Sequence, residues 1–239
     1  MKKLIAAALA AMMLAPTGVQ AKGTKMKVVS KIGKDKVTYN QDGLITKNGD
    51  TSIKYKNGKI SSINCWDTMG KSYTVTYSHG RVATINNQKV SIAYNKKMKY
   101  NDENMKNRTT PKGTYYTFKQ TGVFKDEDAQ YLMNKKGQLL ASYIGYTTSY
   151  YKYDRKGYAN KWMTFDGTSG IGASVYTVKN KYKGSSLVSR SGYVVFEEKD
   201  KYNVKYTYKT IRVRNVSAVK KQQQVLLNSP STLAYIFVQ

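Results

Sequence analysis

The side chains that could carry covalent chemistry are few and far apart in this sequence. Cys65 is the only cysteine and His79 is the only histidine. A cysteine beside a histidine can act as a nucleophile with its base. Here Cys65 lies in an apolar strand pattern, and His79 precedes Gly80 in a turn pattern. We therefore expect a buried thiol and a turn residue, and a single cysteine excludes an internal disulfide.

The acidic side chains do not form a catalytic pair either. Glu197 and Glu198 are adjacent, so in a strand they face opposite sides. The cluster Asp126-Glu127-Asp128 offers oxygens to a cation, but it lacks the glycine and the spaced carboxylates of a calcium loop. Zinc-ligand spacing, a Gly-x-Ser-x-Gly motif and a P-loop are absent from the sequence. The sequence thus predicts no enzyme, no cofactor and no metal site.

A repeated phrase dominates residues 35–100 and 131–165 and indicates the elements of the fold. In each copy an apolar residue is followed two places later by a tyrosine, which puts both side chains on one face of a strand. In one copy Tyr131 and Met133 occupy these two places. The pairs with tyrosine are Val37 and Tyr39, Ile53 and Tyr55, Val75 and Tyr77, Ile92 and Tyr94, and Tyr151 and Tyr153.

A glycine follows most copies and predicts a hairpin turn. Asp42-Gly43, Asn57-Gly58 and His79-Gly80 suit tight turns, whereas Lys136-Gly137 and Lys156-Gly157 suit slightly longer loops. Apolar residues then tend to fall two and five places after the glycine, so either both faces of the returning strand are partly buried or a bulge shifts the register. The pattern predicts an all-β fold of consecutive antiparallel β-hairpins that form a meander or a spiral repeat sheet.

The segment Tyr151-Lys152-Tyr153-Asp154-Arg155-Lys156-Gly157 resembles the YD-repeat (RHS-type) family. The Gly80-Arg81-Val82 step and the later Ile85 are similar to the same family. In its length the chain looks more like the small secreted repeat proteins common in Bacteroidota. The resemblance implies a long antiparallel ribbon that winds as a spiral sheet, which in large members forms a shell around a toxin domain. Most copies here lack the aspartate after the tyrosine, and the chain is too short to close such a shell.

Other segments depart from the repeat. Residues 101–130 interrupt it, and residues 166–192 are rich in glycine and serine, so both segments are expected to be less regular. Ser217 to Leu227 has a weak helical pattern. Thr232 to Val238 is an apolar terminal segment, which we expect to pair with the sheet or to cap it.

The N-terminus has the features of a secretory signal peptide. Lys2 and Lys3 precede an apolar run from Leu4 to Ala15, and Val19-Gln20-Ala21 supplies small residues for cleavage. The run is too short to span a membrane. We expect residues 1–21 to be a signal peptide and residues 22–239 to be a single β-repeat domain. The protein would then be exported to the periplasm, the cell surface or the medium.

The charge of the chain is strongly positive. Its 41 basic and 14 acidic residues give a formal net charge of +27. One interpretation is a solvated strand face whose lysines protect sheet edges from aggregation. The other is a cationic surface whose partners would be anionic polysaccharide, lipopolysaccharide or another envelope protein, with intracellular nucleic acid not expected. The oligomeric state is left open.

Two functions are therefore compatible with the sequence. The first is an exported, non-catalytic β-repeat protein that acts as a binding or structural module at the cell envelope and binds polyanions. The alternative is a small outer-membrane β-barrel, which would also have a signal peptide, many tyrosines and an apolar terminal strand. The residues expected to form a binding surface are Tyr77, Arg81, Tyr153, Arg155 and Lys156.

Overall fold

A computed structural model of the chain describes residues 23–65, 71–96, 113–119, 128–144, 147–166, 173–196 and 198–228. These residues form seventeen strands and one helix. The strands are β1 (Thr24–Ile32), β2 (Asp35–Tyr39), β3 (Ile45–Asn48), β4 (Thr51–Lys56), β5 (Lys59–Cys65), β6 (Lys71–Ser78), β7 (Arg81–Ile85), β8 (Gln88–Lys89), β9 (Ser91–Lys96), β10 (Gly113–Lys119), β11 (Asp128–Met133), β12 (Leu139–Ile144), β13 (Thr147–Tyr153), β14 (Ala159–Asp166), β15 (Ala173–Lys183), β16 (Ser186–Val195) and β17 (Lys199–Val213), and the helix is α1 (Val216–Asn228).

The strands form a single antiparallel meander that returns to its beginning. Strand β1 pairs with β2 on one side and with β17 on the other. Strands β8 and β9 are separated only by Val90, whose N–H donates to the carbonyl of Ala83 in β7 at 2.9 Å. If β8 and β9 are counted as one interrupted strand, the number of strands in the sheet is even. A ring in which every pair of neighbours is antiparallel requires an even number of strands. The sheet is therefore nearly closed into a barrel.

The closure corrects part of the expectation from sequence. The all-β class and the antiparallel meander are confirmed, but the spiral sheet and the YD-repeat (RHS-type) resemblance are wrong. A spiral ribbon leaves its first and last strands apart, whereas here Thr24 lies opposite Val213 and Ile32 lies opposite Tyr206. The physical reason is that each unpaired strand edge exposes backbone donors and acceptors, and closure removes both edges.

The turns at one end of the barrel carry most of the glycines of the repeat, and we call this end the glycine end. Because neighbouring strands alternate in direction, the turns after β2, β4, β6, β11, β13 and β15 all lie there. Asn57-Gly58 and His79-Gly80 are two-residue turns in which both residues have positive φ. Asp42-Gly43 belongs instead to a longer loop, since Tyr39 pairs with Ile45.

A bulge follows each of these glycines and explains the apolar spacing. Tyr55 pairs with Ile60, but Lys54 pairs with Ser62, so Ser61 is the extra residue. Both Ile60 and Ile63 are buried as a result. The same shift, with the extra residue three places after the glycine, occurs in the hairpins that begin with β2, β6, β11 and β13.

The apolar and tyrosine side chains of the repeat meet on the inner face of the ring. One cluster joins buried residues from strands around the barrel, from Val29 in β1 to Tyr206 in β17. Tyr131 and Leu139 are among its fully buried members. We call this cluster the inner core, and it defines which face of each strand points inward.

The helix α1 enters the barrel from the glycine end. It follows β17, and its second half is buried on several sides, with Gln222, Gln223 and Val225 to Leu227 all shielded from solvent. Val225, Leu226 and Leu227 belong to the inner core. The helical expectation for Ser217 to Leu227 is confirmed, and the helix fills the glycine end of the barrel.

Two other expectations have different outcomes. The irregularity expected of residues 166–192 is wrong for the part that is described, because β15 and β16 are long strands that pair over nine positions. Within 101–130, β10 and the start of β11 are regular and paired with each other. Asp126 and Glu127 of the acidic cluster and the terminal segment Thr232 to Val238 lie outside the described residues.

Candidate functional site at the glycine end of the barrel

One arrangement of hydrogen bonds recurs in several hairpins at the glycine end, and we call it the bulge device. In each case a tyrosine hydroxyl donates to a backbone carbonyl on the strand before its own. That carbonyl belongs to the residue just before the bulge. Tyr55 donates to Ile45 at 2.6 Å, and Tyr208 donates to Leu187 at 2.6 Å. Tyr39 donates to Val29 and Tyr153 donates to Leu139 in the same way. The tyrosine thus satisfies a carbonyl that the bulge removes from the strand ladder.

Two glutamines of α1 complete the device in the first two copies. The N–H of Val29 donates to Gln223 Oε1 at 2.8 Å, and Gln223 Nε2 donates to the hydroxyl of Tyr39 at 3.0 Å. In the next copy along the sheet, Ile45 N–H donates to Gln222 Oε1 and Gln222 Nε2 donates to the hydroxyl of Tyr55, both at 3.0 Å. Adjacent helical residues therefore hold two different hairpins.

Burial raises the pKa of these tyrosines well above the ordinary value of 10. Desolvation is the main cause at Tyr39 and at Tyr55, and the glutamine amides oppose it only in part. For Tyr153 burial again dominates, with the neighbouring Tyr151 adding to it. These hydroxyls remain neutral donors over any physiological pH range, as a structural hydrogen bond to a carbonyl requires.

Three longer turns at this end are held by a side-chain cap. Asn134 Oδ1 accepts the N–H of Lys136 at 2.9 Å and the N–H of Gln138 at 3.0 Å. Asn40 and Asp154 accept the N–H groups two and four residues later in the same manner. The aspartate of the Tyr-Asp dipeptide is therefore one of three interchangeable turn caps.

Asp154 also anchors a polar cluster. Its Oδ2 accepts from Asn180 Nδ2 at 2.7 Å and from the hydroxyl of Tyr182. Arg190, which is buried, donates from Nε to Asn180 Oδ1 at 3.1 Å and lies over the ring of Tyr206. The side-chain amide of Asn180 thus links the carboxylate of Asp154, in the turn, to the buried guanidinium of Arg190.

The ionisation of this cluster follows from its contacts. Burial acts to raise the pKa of Asp154, but hydrogen bonds from Tyr182, Asn180 and two backbone N–H groups outweigh it, so that the pKa is lowered. Burial raises the pKa of Tyr206 to about 12, although the charge of Arg190 opposes the rise. The carboxylate is thus charged, the phenol neutral, and neither is poised to exchange a proton near neutral pH.

The exposed surface of the glycine end is basic. Its described turns carry many lysines and arginines against two carboxylates, Asp42 and Asp154. Arg214 forms an ion pair with Asp42 at 3.0 Å. The exposed cationic residues of these turns are Lys56, Lys59, Arg81, Lys135, Lys136, Arg155, Lys156, Lys183 and Arg214.

Several of these cations lie over aromatic rings. Lys156 Nζ is 4.1 Å from the ring centre of Tyr182 and 3.3 Å from the carbonyl oxygen of Gly184, to which it donates. The guanidinium of Arg81 lies 5.4 Å from the ring centre of Tyr94. Such pairs contribute about 0.5–1 kcal/mol each at exposed sites. They also hold the cations close to the barrel surface.

The five residues expected to bind a ligand are therefore placed as follows. Arg81, Arg155 and Lys156 are exposed at the glycine end, although on turns of different hairpins. Tyr77 and Tyr153 pack against the inner core, and Tyr153 serves as a hydroxyl donor in the bulge device. Their role in binding stays a prediction. The pattern missed Gln222, Gln223 and Arg190, for which the sequence offers only a run of glutamines and one arginine in a strand.

The residues considered for chemistry are also partly placed. His79 is a turn residue with φ of 49°, and its Nδ1 lies 3.0 Å from Ser78 Oγ. The side chain of Cys65 is outside the described residues, so its proposed pairing with His79 is untested. Within the described ranges, no group of three histidine, cysteine, aspartate or glutamate side chains is arranged to hold a metal ion.

No family model matches the sequence, and no curated protein matches it. Among solved structures, the chain is similar to a porin-like protein from Bacteroides vulgatus ATCC 8482. The two are 12% identical with a TM-score of 0.34, and the alignment covers 76% of this chain and 98% of that one.

The closed sheet decides between the two functions considered from sequence. The interpretation as a β-repeat module of the YD type that binds polyanions at the envelope is wrong in its architecture, because β1 and β17 pair directly. The alternative, a small outer-membrane β-barrel, agrees better with a ring of antiparallel strands. Of the described segments, none is a helix with the length and apolar character needed to cross a bilayer.

Proposed function

We propose that this protein is an exported, non-catalytic β-barrel of the cell envelope that acts at the outer membrane. The observation that carries the proposal is the pairing of β1 with both β2 and β17, which makes the meander a ring. An even number of antiparallel strands in a ring is the arrangement of outer-membrane barrels. The signal-peptide pattern at residues 1–21 supports export.

The barrel in this proposal does not conduct. Porins have a polar, water-filled interior, whereas the inner core here consists of apolar side chains and tyrosines, although Asn180 and Arg190 also face inward. The second half of α1 packs into this interior and is hydrogen-bonded to β1 and β3 through Gln222 and Gln223. We therefore assign α1 the role of an internal plug.

A cross-linking experiment in cells tests the closure. Lys25 and Arg212 are opposed across the β1–β17 seam and both are exposed. In a Cys65→Ser background, the pair Lys25→Cys and Arg212→Cys should form a disulfide that changes mobility on a non-reducing gel. The matched control pairs Lys25→Cys with Lys205→Cys, which is exposed on the same strand seven residues away. Equal cross-linking of both pairs, or of neither, would contradict the ring.

Fractionation and conductance test the location and the plug. The full chain should be exported and should sediment with outer membranes on a density gradient; recovery only in the cytoplasm or in inner membranes would overturn the location. In planar bilayers the purified protein should give no steady current. A stable, ohmic channel from the wild-type protein would overturn the role of α1 as a plug.

A further inference from the structure

The outer face of strands β13 to β17 is divided into an apolar row and a basic row. Directly opposed residues of antiparallel strands point to the same face, so the register defines rows that run around the barrel. This face is the outer one, because the alternate residues Tyr151, Trp162 and Tyr206 belong to the inner core. The apolar row is Tyr150, Met163, Val175 and Val195, with Lys199 as its member on β17, and the basic row is Lys152, Lys161, Thr177, Tyr193 and Lys201.

The apolar row ends in an exposed patch. Val195 is 36% exposed and Tyr193 is 37% exposed, and Phe196, directly after β16, is 49% exposed. The ammonium group of Lys199 lies 4.1 Å from the ring centre of Tyr193. Large aromatic residues exposed beside lysines are typical of a surface that meets the boundary between lipid and water.

The opposite flank of the barrel differs. On β2, β4 and β6 the outward residues between the inward pairs are Thr38, Lys54 and Thr76. Thr38 is hydrogen-bonded to Thr46 at 2.8 Å, and Thr76 to Thr84 at 2.6 Å. This hydroxyl-rich flank offers no apolar surface to lipid, so a complete lipid-facing band around the barrel is not formed by the described strands.

We propose that the outer face of β13–β17 docks the barrel on the surface of an anionic lipid bilayer. Val195 and Tyr193 would enter the headgroup region, and Lys152, Lys161 and Lys201, which share the row of Tyr193, would lie at the level of the lipid phosphates. The charge of the chain, +27, favours an anionic over a zwitterionic surface. The inference rests on the proposed envelope location and adds the flank and the lipid class.

Vesicle flotation tests the docking face. The purified chain without residues 1–21 should float with phosphatidylcholine vesicles that contain phosphatidylglycerol and bind much less to pure phosphatidylcholine. The double variant Lys161→Glu and Lys201→Glu should lower binding to the anionic vesicles about tenfold or more, because reversing these two charges lowers the net charge at the lipid surface by about four units. The variant Val195→Asp should lower binding to the same vesicles even at low salt.

A matched control has the same charge change on the other flank. Lys47→Glu with Lys54→Glu alters two exposed lysines of β3 and β4 and should change binding little more than the total charge requires. Equal losses in both double variants would overturn a specific face, and no binding to either vesicle would overturn the docking itself. Because the β1–β17 cross-link reports closure without lipid, its formation in every variant separates failed docking from a failed fold.

Discussion

The side-chain amide of Gln223 donates to the hydroxyl of Tyr39 at 3.0 Å across 184 residues of sequence. Together these two side chains satisfy both backbone groups of Val29, whose N–H and C=O lie beside the bulge of β1. The contact joins α1 to the first hairpin, which is formed by β1 and β2. It explains why the second half of α1 is buried although it carries two polar glutamines.

Removal of the Gln223 amide should destabilise the barrel. Gln223→Ala leaves the buried N–H of Val29 without its acceptor, and an unsatisfied buried donor costs about 1–3 kcal/mol. Equilibrium urea unfolding should therefore show a lower free energy of unfolding. Lys221→Ala changes an exposed position of the same helix and should alter stability by no more than about 0.5 kcal/mol. Similar losses in both variants would mean that the glutamine acts only through helix propensity.

The hydroxyl of Tyr55 should matter more than that of an exposed tyrosine. Tyr55→Phe removes the donor to the carbonyl of Ile45 and the acceptor of Gln222, and we expect a loss of about 1–2 kcal/mol in the free energy of unfolding. Tyr193→Phe, at an exposed position, should be nearly neutral in the same assay. If Tyr55→Phe were also neutral, the bulge device would not stabilise the sheet.

Two glycines with positive φ should respond differently to alanine. Gly137→Ala meets no neighbour within 4 Å, so it should cost only the left-handed backbone, about 1 kcal/mol. At Gly43 an added Cβ would also overlap Val213 Cγ1, and overpacking adds about 1–3 kcal/mol. Thermal or urea unfolding of both variants measures the difference.

A double variant isolates the steric part. Val213→Ala removes Cγ1, the nearest atom to the added Cβ. Combining it with Gly43→Ala should therefore recover part of the overpacking cost, so that the two substitutions are less destabilising together than the sum of their separate effects. Strict additivity would place the whole cost of Gly43→Ala in the backbone.

Asp154 should make the barrel sensitive to acid. Its folded-state pKa lies below the ordinary value of 3.8, since hydrogen bonds from Tyr182, Asn180 and the turn stabilise the carboxylate. A depressed folded pKa contributes stability above the unfolded pKa, and this contribution is lost as the pH falls through the folded pKa. Urea unfolding between pH 5 and pH 2 should show a shallower loss for Asp154→Asn than for the wild type.

The exposed Asp200, on β17, serves as the control for this titration. Asp200→Asn should keep the acid dependence of the wild type. A wild-type slope in Asp154→Asn would assign the acid sensitivity to other carboxylates.

The sequence by itself determined the local structure of this protein. A spacing of two between Val75 and Tyr77 produces a strand face, and Asn57-Gly58 produces a tight turn, because both depend on the dihedral preferences of neighbouring residues. The three-residue spacing of Ile60 and Ile63 left a bulge as one of two possibilities, and the bulge is what the pairing shows. The weak helical pattern of Ser217 to Leu227 also predicts the helix.

Only the tertiary structure decided that the meander closes and that the helix enters it. The seam pairs Thr24 of β1 with Val213 of β17. The sequences of these strands do not indicate this pairing, because any strand edge offers the same backbone donors and acceptors. Gln222 and Gln223 are likewise ordinary helix residues in the sequence, and their role follows only from the tertiary contacts with the backbones of Ile45 and Val29. Long-range pairing is set by the summed geometry of all the hairpins, which no single repeat contains.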